Sequence, residues 1–328
     1  MILSFDQVRA AAERLRGVAV HTPLVNNAEL DRRLGARVFL KAENLQHIGA
    51  FKFRGAYNRL VQLDPESRTR GVVAFSSGNH AQGIAYAARL LGMQATIVMP
   101  SDAPAVKREG TQAQGAKIVA YDRLTESREE IAAEIAERIG ATLVPAFDDI
   151  DVMAGQGSCG LELVEQARSQ GVVPDYLLSP VGGGGLMSGV ATAVKALLPE
   201  CQVIGVEPQH YDDHVRSAAA GERVRITPAV PTACDSLMAT RPGELTWAVN
   251  SQLVDSFISV SEDEVGQAVS FAFRQLKLVV EPGGAVGLAA LLSGQVKVPA
   301  GACVALILSG GNIDAASFEA YLKQFPSP

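Results

Sequence analysis

The chain has 328 residues, 48% of them hydrophobic, which is enough to bury a large core in one α/β domain or in two domains. Its 29 basic and 35 acidic residues give a formal net charge of −6 at pH 7, and no basic run suggests nucleic acid or an anionic membrane as a partner. No apolar run approaches membrane-spanning length and the first residues lack a secretory-signal pattern, so we expect a cytoplasmic protein. The four cysteines are widely spaced, which favours reduced thiols over a zinc site or a disulfide framework.

Short β-branched apolar runs alternate with helical patterns along the chain. After a strand-like run at 36–40, the pattern predicts strands at 72–75, 95–99, 117–121, 176–178, 203–206 and 304–308, with helices at 81–91, 105–114, 124–139 and 186–198. This alternation is typical of parallel sheets with helices on both faces, so we predict an α/β fold. The stretch 71–148 contains its own strand-helix series and is predicted to form a small domain inserted in a large domain of 1–70 and 149–328.

Three predicted strands run directly into polar, glycine-rich segments. These segments are SSGNH (76–80), SPVGGGG (179–185) and SGGN (309–312). Ligands of open α/β sheets bind outside the carboxyl ends of the strands, so we expect the three segments to form one site. In the second segment four consecutive glycines enter a helix. Their backbone N–H groups, at the positive end of that helix, predict a phosphate site that needs no basic side chain.

Lys52 lies between two phenylalanines in the motif GAFKFRG (49–55). This setting suits a partly desolvated amine that spends time unprotonated and nucleophilic. A nucleophilic lysine together with a phosphate site fits a cofactor that is both an aldehyde and a phosphate ester. The sequence therefore points to pyridoxal 5'-phosphate as the cofactor.

Each of these features also has a simpler explanation. Lys52 alone could be a solvated or ion-paired lysine, and glycine-rich turns after strands are common. Asn79 and His80 could simply cap a helix that begins just after them. The segment from Gly183 nearly matches the dinucleotide-binding pattern GxGxxG, but Ser188 stands at its sixth position, and a dinucleotide enzyme would leave the setting of Lys52 unexplained.

Further motifs extend over nearly the whole chain: KAENLQ (41–46), GAFKFRG (49–55), SSGNH (76–80), AGQG (154–157), PVGGGG (180–185), EP (281–282) and SGGN (309–312). With these motifs the chain resembles the fold-type II pyridoxal-phosphate enzymes, whose fold is like that of the tryptophan synthase β chain, and within them the serine/threonine dehydratase and serine racemase family. The resemblance implies two lobes, of which the large domain binds the cofactor, and a homodimer. The Gly-Ala-Phe-Lys form of the lysine motif is similar to that of microbial serine racemases and 3-hydroxyaspartate dehydratases.

The resemblance also implies roles for residues at matching positions. Lys52 would be the Schiff-base lysine and the acceptor of the Cα proton, and Ser77 would stand on the opposite face of the cofactor. The other cofactor contacts would be Phe51 beside the ring, Asn79 at the 3-hydroxyl, Ser309 at the ring nitrogen, and Gly182, Gly183, Gly184 and Gly185 around the phosphate. The substrate α-carboxylate would be held by Ser76, Ser77, Asn79 and His80.

The implied reaction is the elimination of water and ammonia from a small 3-hydroxy amino acid, namely serine, threonine or threo-3-hydroxyaspartate, to give a 2-oxo acid. A hydroxyl at Ser309 need not keep the ring nitrogen protonated, which favours elimination or reprotonation at Cα. Ser77 can return a proton on the face opposite Lys52, so serine racemisation is the alternative activity. Arg128 aligns with an arginine that reaches a bound carboxylate, and its fork would suit a second substrate carboxylate, although a surface arginine paired with glutamate is the simpler explanation.

Glu207, Asp213 and the backbone carbonyl of Tyr211 resemble the divalent-cation site of this subfamily, which holds Mg²⁺, Mn²⁺ or Ca²⁺. An acidic turn without a metal is the alternative. The motif TACDSL (232–237) departs from the expected Ile-Ala-Asp-Gly in a stretch that lies near the substrate in the family. The preferred substrate among serine, threonine and 3-hydroxyaspartate therefore stays open.

Overall fold

The computed structural model describes residues 2–103 and 105–326, which contain two sheets. The larger sheet has the strand order β1-β2-β10-β7-β8-β9, and only β1 runs antiparallel to its neighbour. Its strands are β1 (Leu24–Asn26), β2 (Arg37–Ala42), β7 (Tyr176–Pro180), β8 (Gln202–Pro208), β9 (Ser256–Val260) and β10 (Cys303–Leu308). The smaller sheet is parallel throughout, in the order β5-β4-β3-β6, with β3 (Val72–Phe75), β4 (Ala95–Pro100), β5 (Lys117–Tyr121) and β6 (Thr142–Leu143).

Helices connect and cover these strands. They are α1 (Phe5–Leu15), α2 (Ala28–Leu34), α3 (Lys52–Leu60), α4 (Pro65–Arg70), α5 (Asn79–Leu90), α6 (Ala105–Ala113), α7 (Arg128–Ile139), α8 (Ile150–Ser169), α9 (Gly185–Leu197), α10 (Asp213–Ala220), α11 (Glu244–Leu253), α12 (Glu262–Phe271), α13 (Pro282–Leu292) and α14 (Ala315–Gln324). Short 3-10 turns lie at Glu43–Leu45, His47–Gly49 and Asp235–Leu237, and a π-helical turn at Ala272–Leu276. Among the described residues, none of the helices combines the length and apolarity needed to span a membrane.

Apolar side chains fill both faces of each sheet. Val286 of α13 belongs to the core on one face of the large sheet, and Leu163 of α8 to the core on the other. Ile84 of α5 and Ile135 of α7 lie in separate clusters, each of which includes strands of the small sheet. The α/β prediction, with parallel sheets covered on both sides, is therefore confirmed.

The strands of the small sheet fall within the predicted small domain of 71–148. The apolar core on one face of this sheet also takes in side chains from outside that range, including Phe53 and Leu60 of α3 and Val152 of α8. Helix α3 therefore packs against the small sheet, although it belongs to the predicted large domain. The domain boundaries stay a prediction.

Two helices begin two or more residues away from the predicted start. Helix α7 starts at Arg128, four residues after the predicted start, because the Ser127 side chain accepts a hydrogen bond from the Glu130 N–H and caps the helix there. Helix α5 starts at Asn79, with Gly78 as its N-cap residue, so Asn79 and His80 lie inside the first turn. The suggestion that these two residues cap the helix is therefore wrong.

Glycines let α8 pack closely against α3, the helix that begins with Lys52. A Cβ atom at Gly155 of α8 would lie 2.6 Å from the backbone oxygen of Arg54, and one at Gly55 would lie 2.3 Å from the Gln156 amide. The axes of α3 and α8 can lie this close together only because neither glycine has a side chain. This packing holds the start of α3 at a constant position relative to the large sheet.

Candidate active site

A cavity of about 220 Å³ is lined by residues from both sheets. The polar exits of β3, β7 and β10 meet there, because parallel strands of the two sheets direct their carboxyl ends toward one place. The predicted cofactor and substrate residues that line it are Phe51, Lys52, Ser76, Ser77, Asn79, His80, Arg128, Gly182, Gly183, Gly184, Gly185 and Ser309. The structure therefore brings residues from distant parts of the sequence to one site.

Lys52 lies at the start of α3, and its amine is held inside the protein. Its Nζ donates a 2.7 Å hydrogen bond to the Ala146 carbonyl and lies 5.2 Å from the centre of the Phe51 ring. The Phe51 N–H donates to the Ser309 carbonyl at 3.1 Å, which joins this segment to the end of β10. Burial lowers the pKa of Lys52 to about 8, while the Glu281 carboxylate opposes the shift. Far more of this amine is unprotonated near neutral pH than of an exposed lysine, as a nucleophile requires.

Arg54 anchors α3 in a buried network of charges, two residues after Lys52. Its guanidinium donates to Glu43 at 2.7 and 2.9 Å and to Glu162 at 2.7 and 2.8 Å. Lys41 adds a further 2.8 Å bond to Glu162. The side chains of Arg54, Glu43 and Lys41 are fully buried, so loss of one partner would leave a charge without its counter-ion. This network keeps α3, the helix that begins with Lys52, in place.

The glycine loop at 182–185 connects β7 to α9. The φ angle of Gly184 is +95°, which favours glycine, and a Cβ atom at Gly183 would lie 2.4 Å from the Phe147 ring. Thr246 Oγ1 donates to the Gly183 carbonyl at 2.7 Å and steadies the loop. In the described part of the chain, no side chain caps α9. Its first N–H groups, at the positive helix end, therefore fit the phosphate group of pyridoxal phosphate.

Asn79 is fixed by two other polar side chains. Its Nδ2 donates to Glu281 Oε1, and its Oδ1 accepts from Asn312 Nδ2, both at 2.7 Å. Burial raises the pKa of Glu281 to about 7, and Asp235 adds to the shift. One amide N–H of Asn79 has no partner among the described residues, and Asn79 lines the cavity together with Ser309. An amide N–H donor fixed in this way suits the 3-hydroxyl of the cofactor.

The segment 76–80 after β3 makes hydrogen bonds that the sequence alone did not predict. His80 is buried, and its Nε2 lies 3.1 Å from the Val144 carbonyl, so this nitrogen carries the proton and donates. Burial and the charge of Lys52 lower the pKa of His80 to about 3, which keeps the ring neutral. Ser76 Oγ accepts from the Gly78 N–H at 3.1 Å. His80 thus ties the start of α5 to the Val144 carbonyl, and Ser76, Ser77 and His80 all line the cavity.

Arg128 lies at the cavity as the first residue of α7. Its Nε donates a 2.8 Å bond to Glu129, and its guanidinium lies 5.4 Å from the centre of the Phe75 ring. The side chains of Arg128 and Glu129 are half-exposed, so their pair contributes little to stability. The guanidinium thus lies near enough to the cavity to contact a ligand. Its pair with Glu129 is weak enough to break when a ligand binds.

Glu207, Asp213 and His214 form a buried cluster whose ligand atoms lie within 4.8 Å of one another. Glu207 accepts hydrogen bonds from the N–H groups of His214 and Val215 at 3.0 and 2.9 Å. His214 Nδ1 lies 3.2 Å from Glu207 but 3.5 Å from Asp213, and within the described residues both oxygens of Asp213 lack a hydrogen-bond donor. Burial raises the pKa values of Glu207 and Asp213. A buried carboxylate whose oxygens lack donors, next to a second buried carboxylate, fits a divalent cation.

Several residues near these sites were not predicted from the sequence. They are Phe147, which closes the glycine loop, Glu281, which holds Asn79, His214 in the acidic cluster, and Lys107 and Asp235 at the cavity. Glu281 and Asp235 belong to the quoted motifs EP (281–282) and TACDSL (232–237), but neither was given a role from the sequence. The others come from elements whose proximity depends on the tertiary fold.

Comparison with known proteins agrees with this geometry. The family model for pyridoxal-phosphate-dependent enzymes matches residues 16–310. A relative from a Pseudomonas species, named L-threo-3-hydroxyaspartate ammonia-lyase, is 47% identical over 323 residues, which are 98% of each chain. An L-threonine ammonia-lyase of Thermotoga maritima is 41% identical over 313 residues, covering 95% of this chain and 76% of the other.

A solved structure shows the same fold. The structure of maize serine racemase superposes with a TM-score of 0.92 at 38% identity, covering 99% of this chain and 98% of the other. The lysine, the glycine loop and the strand exits thus occur in a chain that is similar over its full length to enzymes of one kind. The chain belongs to the fold-type II pyridoxal-phosphate-dependent enzymes, in the group that contains 3-hydroxyaspartate and threonine ammonia-lyases and serine racemases.

Proposed function

We propose that this enzyme eliminates water and ammonia from a 3-hydroxy amino acid to give a 2-oxo acid, and that threo-3-hydroxyaspartate is its best substrate. The observation that carries the proposal is the buried amine of Lys52 in the same cavity as the uncapped glycine loop. The relation to the Pseudomonas hydroxyaspartate enzyme supports the choice of substrate. Arg128 at the cavity supplies a cation that suits a second carboxylate.

The residues present fit pyridoxal phosphate. Lys52 would bind the aldehyde carbon, Phe51 would pack beside the ring, and the N–H groups of Gly182, Gly183, Gly184 and Gly185 would hold the phosphate. Asn79 would donate to the 3-hydroxyl, and the Ser309 hydroxyl would meet the ring nitrogen. When bound, the cofactor supplies an electron sink that weakens the bonds at the substrate Cα.

The side chains around the substrate would then orient it and move its protons. Ser76, Ser77 and the backbone N–H groups at the start of α5 would hold the α-carboxylate, in a loop steadied by Asn79 and His80. Lys52 Nζ would take the Cα proton, for which its lowered pKa prepares it. Loss of the Cα proton and of the β-hydroxyl together releases one water and would leave an enamine. The released enamine tautomerises to an imine, and addition of one water to the imine gives the 2-oxo acid and ammonia.

Racemisation is the second candidate, and the position of Ser77 favours it. Its hydroxyl lines the cavity together with Lys52. If the two groups stand on opposite faces of the substrate, Ser77 can return the proton that Lys52 removes and so invert Cα. Both reactions begin with loss of the same proton, so one site can perform both.

We propose that Glu207, Asp213 and the Tyr211 carbonyl bind Mg²⁺, Mn²⁺ or Ca²⁺, with the cation in a structural role. Asn250 connects the cluster to the glycine loop, since its Nδ2 donates to the Gly184 carbonyl at 3.3 Å and lies 3.5 Å from His214 Nε2. Dialysis against a chelator is expected to lower the Tm, and Mg²⁺ or Mn²⁺ to restore it. An Asp213→Asn variant should lose this response, and an unchanged Tm in the wild type would contradict the proposal.

The homodimer and the cytoplasmic location also stay proposals. The four cysteines are all free and buried in the structure, which supports a reducing compartment. Light scattering during size-exclusion chromatography is expected to give about twice the 34.5 kDa mass of one chain. A mass equal to one chain would contradict the dimer.

The decisive experiment follows 2-oxo acid release and optical rotation side by side for L-serine, D-serine, L-threonine and threo-3-hydroxyaspartate. We expect fastest release of oxaloacetate from hydroxyaspartate, and a KM for that substrate at least tenfold higher in Arg128→Ala. Arg123→Ala is the matched control, because Arg123 pairs with Asp102 in an exposed turn. Formation of D-serine with little response to hydroxyaspartate would instead favour the racemase, and no turnover of any substrate would refute the proposal.

A further inference from the structure

One ion pair crosses between the lobes at the cavity. Lys107, on α6 beside the small sheet, donates to Asp235 Oδ2, in the 3-10 turn Asp235–Leu237 of the other lobe. Both residues line the same cavity as Lys52 and Ser77. They therefore face the space where a substrate would lie.

The two partners differ in exposure. The Lys107 side chain is 21% exposed, whereas that of Asp235 is 47% exposed. A largely covered ammonium group needs an anion nearby, while a half-exposed carboxylate is well solvated without one. Burial has the largest effect on the pKa of the Glu281 carboxyl and raises it. The charge of Asp235 raises this pKa further, and the charge of Lys107 lowers it, so both charges act on a buried group of the site.

Asp235 is held in a firmly bonded turn. The Ala233 N–H donates to Glu262 Oε2 at 3.1 Å, and the Thr232 hydroxyl donates to the same carboxylate. The Leu237 N–H closes the turn on the Cys234 carbonyl at 2.8 Å. This turn is the segment whose sequence departs from the family pattern, and it presents a carboxylate to Lys107 from a constant position.

We propose that Lys107 is a specificity-determining residue that binds the second carboxylate of a dicarboxylic substrate, and that Asp235 is the counter-ion which this carboxylate replaces. The inference rests on the proposed function and deepens it. Exchange of one carboxylate for another preserves the charge pair of Lys107, whereas a substrate with a methyl or hydrogen at that position leaves the Lys107–Asp235 pair intact. A dicarboxylate would thus be bound by Lys107 in addition to Arg128.

Steady-state kinetics of the holoenzyme test this role. Lys107→Met is expected to lower kcat/KM for threo-3-hydroxyaspartate at least tenfold more than for L-serine, mainly through KM, and Lys107→Arg to restore part of the loss. Asp235→Asn is expected to lower the KM for hydroxyaspartate severalfold, because the competing carboxylate is gone. Lys117→Met, which removes an exposed lysine at the start of β5, is the matched control.

Equal losses for both substrates in Lys107→Met would overturn the inference, because a simple contact between the lobes affects all substrates alike. So would a higher KM for hydroxyaspartate in Asp235→Asn. Thermal shifts of the holoenzyme with succinate, and with butyrate as the monocarboxylate control, separate this inference from the proposed function. A Tm increase with succinate that Lys107→Met abolishes supports the inference even if hydroxyaspartate is not turned over, and its persistence in that variant refutes it.

Discussion

Glu281→Gln should change how the stability of the protein depends on pH. Burial raises the pKa of Glu281 from the ordinary 4.5 to about 7. A carboxyl whose pKa is raised by folding binds its proton more tightly in the folded state, so stability falls as pH rises from about 4.5 to about 7. The full penalty is about 3 kcal/mol above pH 7, of which about 2 kcal/mol develops between pH 5 and 8. Glutamine stays neutral and can still accept the hydrogen bond from Asn79.

Urea denaturation at pH 5 and pH 8 measures this difference, with the fluorescence of Trp247, the one tryptophan of the chain, as the signal. We expect the free energy of unfolding of Glu281→Gln, relative to wild type, to be about 2 kcal/mol higher at pH 8 than at pH 5. Glu319→Gln, which changes an exposed carboxylate, is the control. An equal difference at the two pH values would show that Glu281 ionises normally in the folded protein and that burial does not raise its pKa.

Three further outcomes follow from the same structure. Arg54→Met should lower the free energy of unfolding by about 3–5 kcal/mol, because buried carboxylates lose their partner, and a smaller loss in urea denaturation would show that water reaches them. Gly183→Ala should weaken cofactor binding at least tenfold in absorbance titrations, because its Cβ would lie 2.4 Å from the Phe147 ring, whereas Gly287→Ala, with only a 3.6 Å contact, should bind normally. The rate at which cofactor-free protein captures pyridoxal phosphate at Lys52 should rise with pH and level off above about pH 8, and a rise that continues to about pH 10 would contradict the lowered pKa.

Seven of the ten strands in the described residues, and the three strand exits at the site, were predictable because buried parallel strands are short, continuous apolar runs bounded by glycine and polar residues. The strands β1 and β6, which are only three and two residues long, and the partly buried β9 were not predicted. Helix α8 was not predicted, since every residue from Val152 to Gly160 is buried and no one-sided apolar period appears. The start of α7 depended on a single capping bond from Ser127, which a hydrophobic pattern does not show. Local motifs could therefore be predicted from the sequence more reliably than the residues at which helices begin.

The residues of the site also divide into those that a local motif reveals and those that only the tertiary fold brings in. Lys52 and the glycine loop were predictable because each is a local motif with its own chemistry. Phe147, which closes the loop, and His214, which joins the acidic cluster, enter through tertiary contacts between separate elements. Their part in the site depends on how separate helices, strands and loops pack together, which spacing along one sequence does not reveal.

The proposed function depends most on Lys52 as the residue that would carry pyridoxal phosphate in this cavity. The most direct test is borohydride reduction of the cofactor-loaded protein, followed by peptide mass mapping. We expect the pyridoxyl mass on the peptide that contains Lys52, and no labelled peptide from Lys52→Ala. A label on another lysine, or cofactor that binds without any label, would contradict the account.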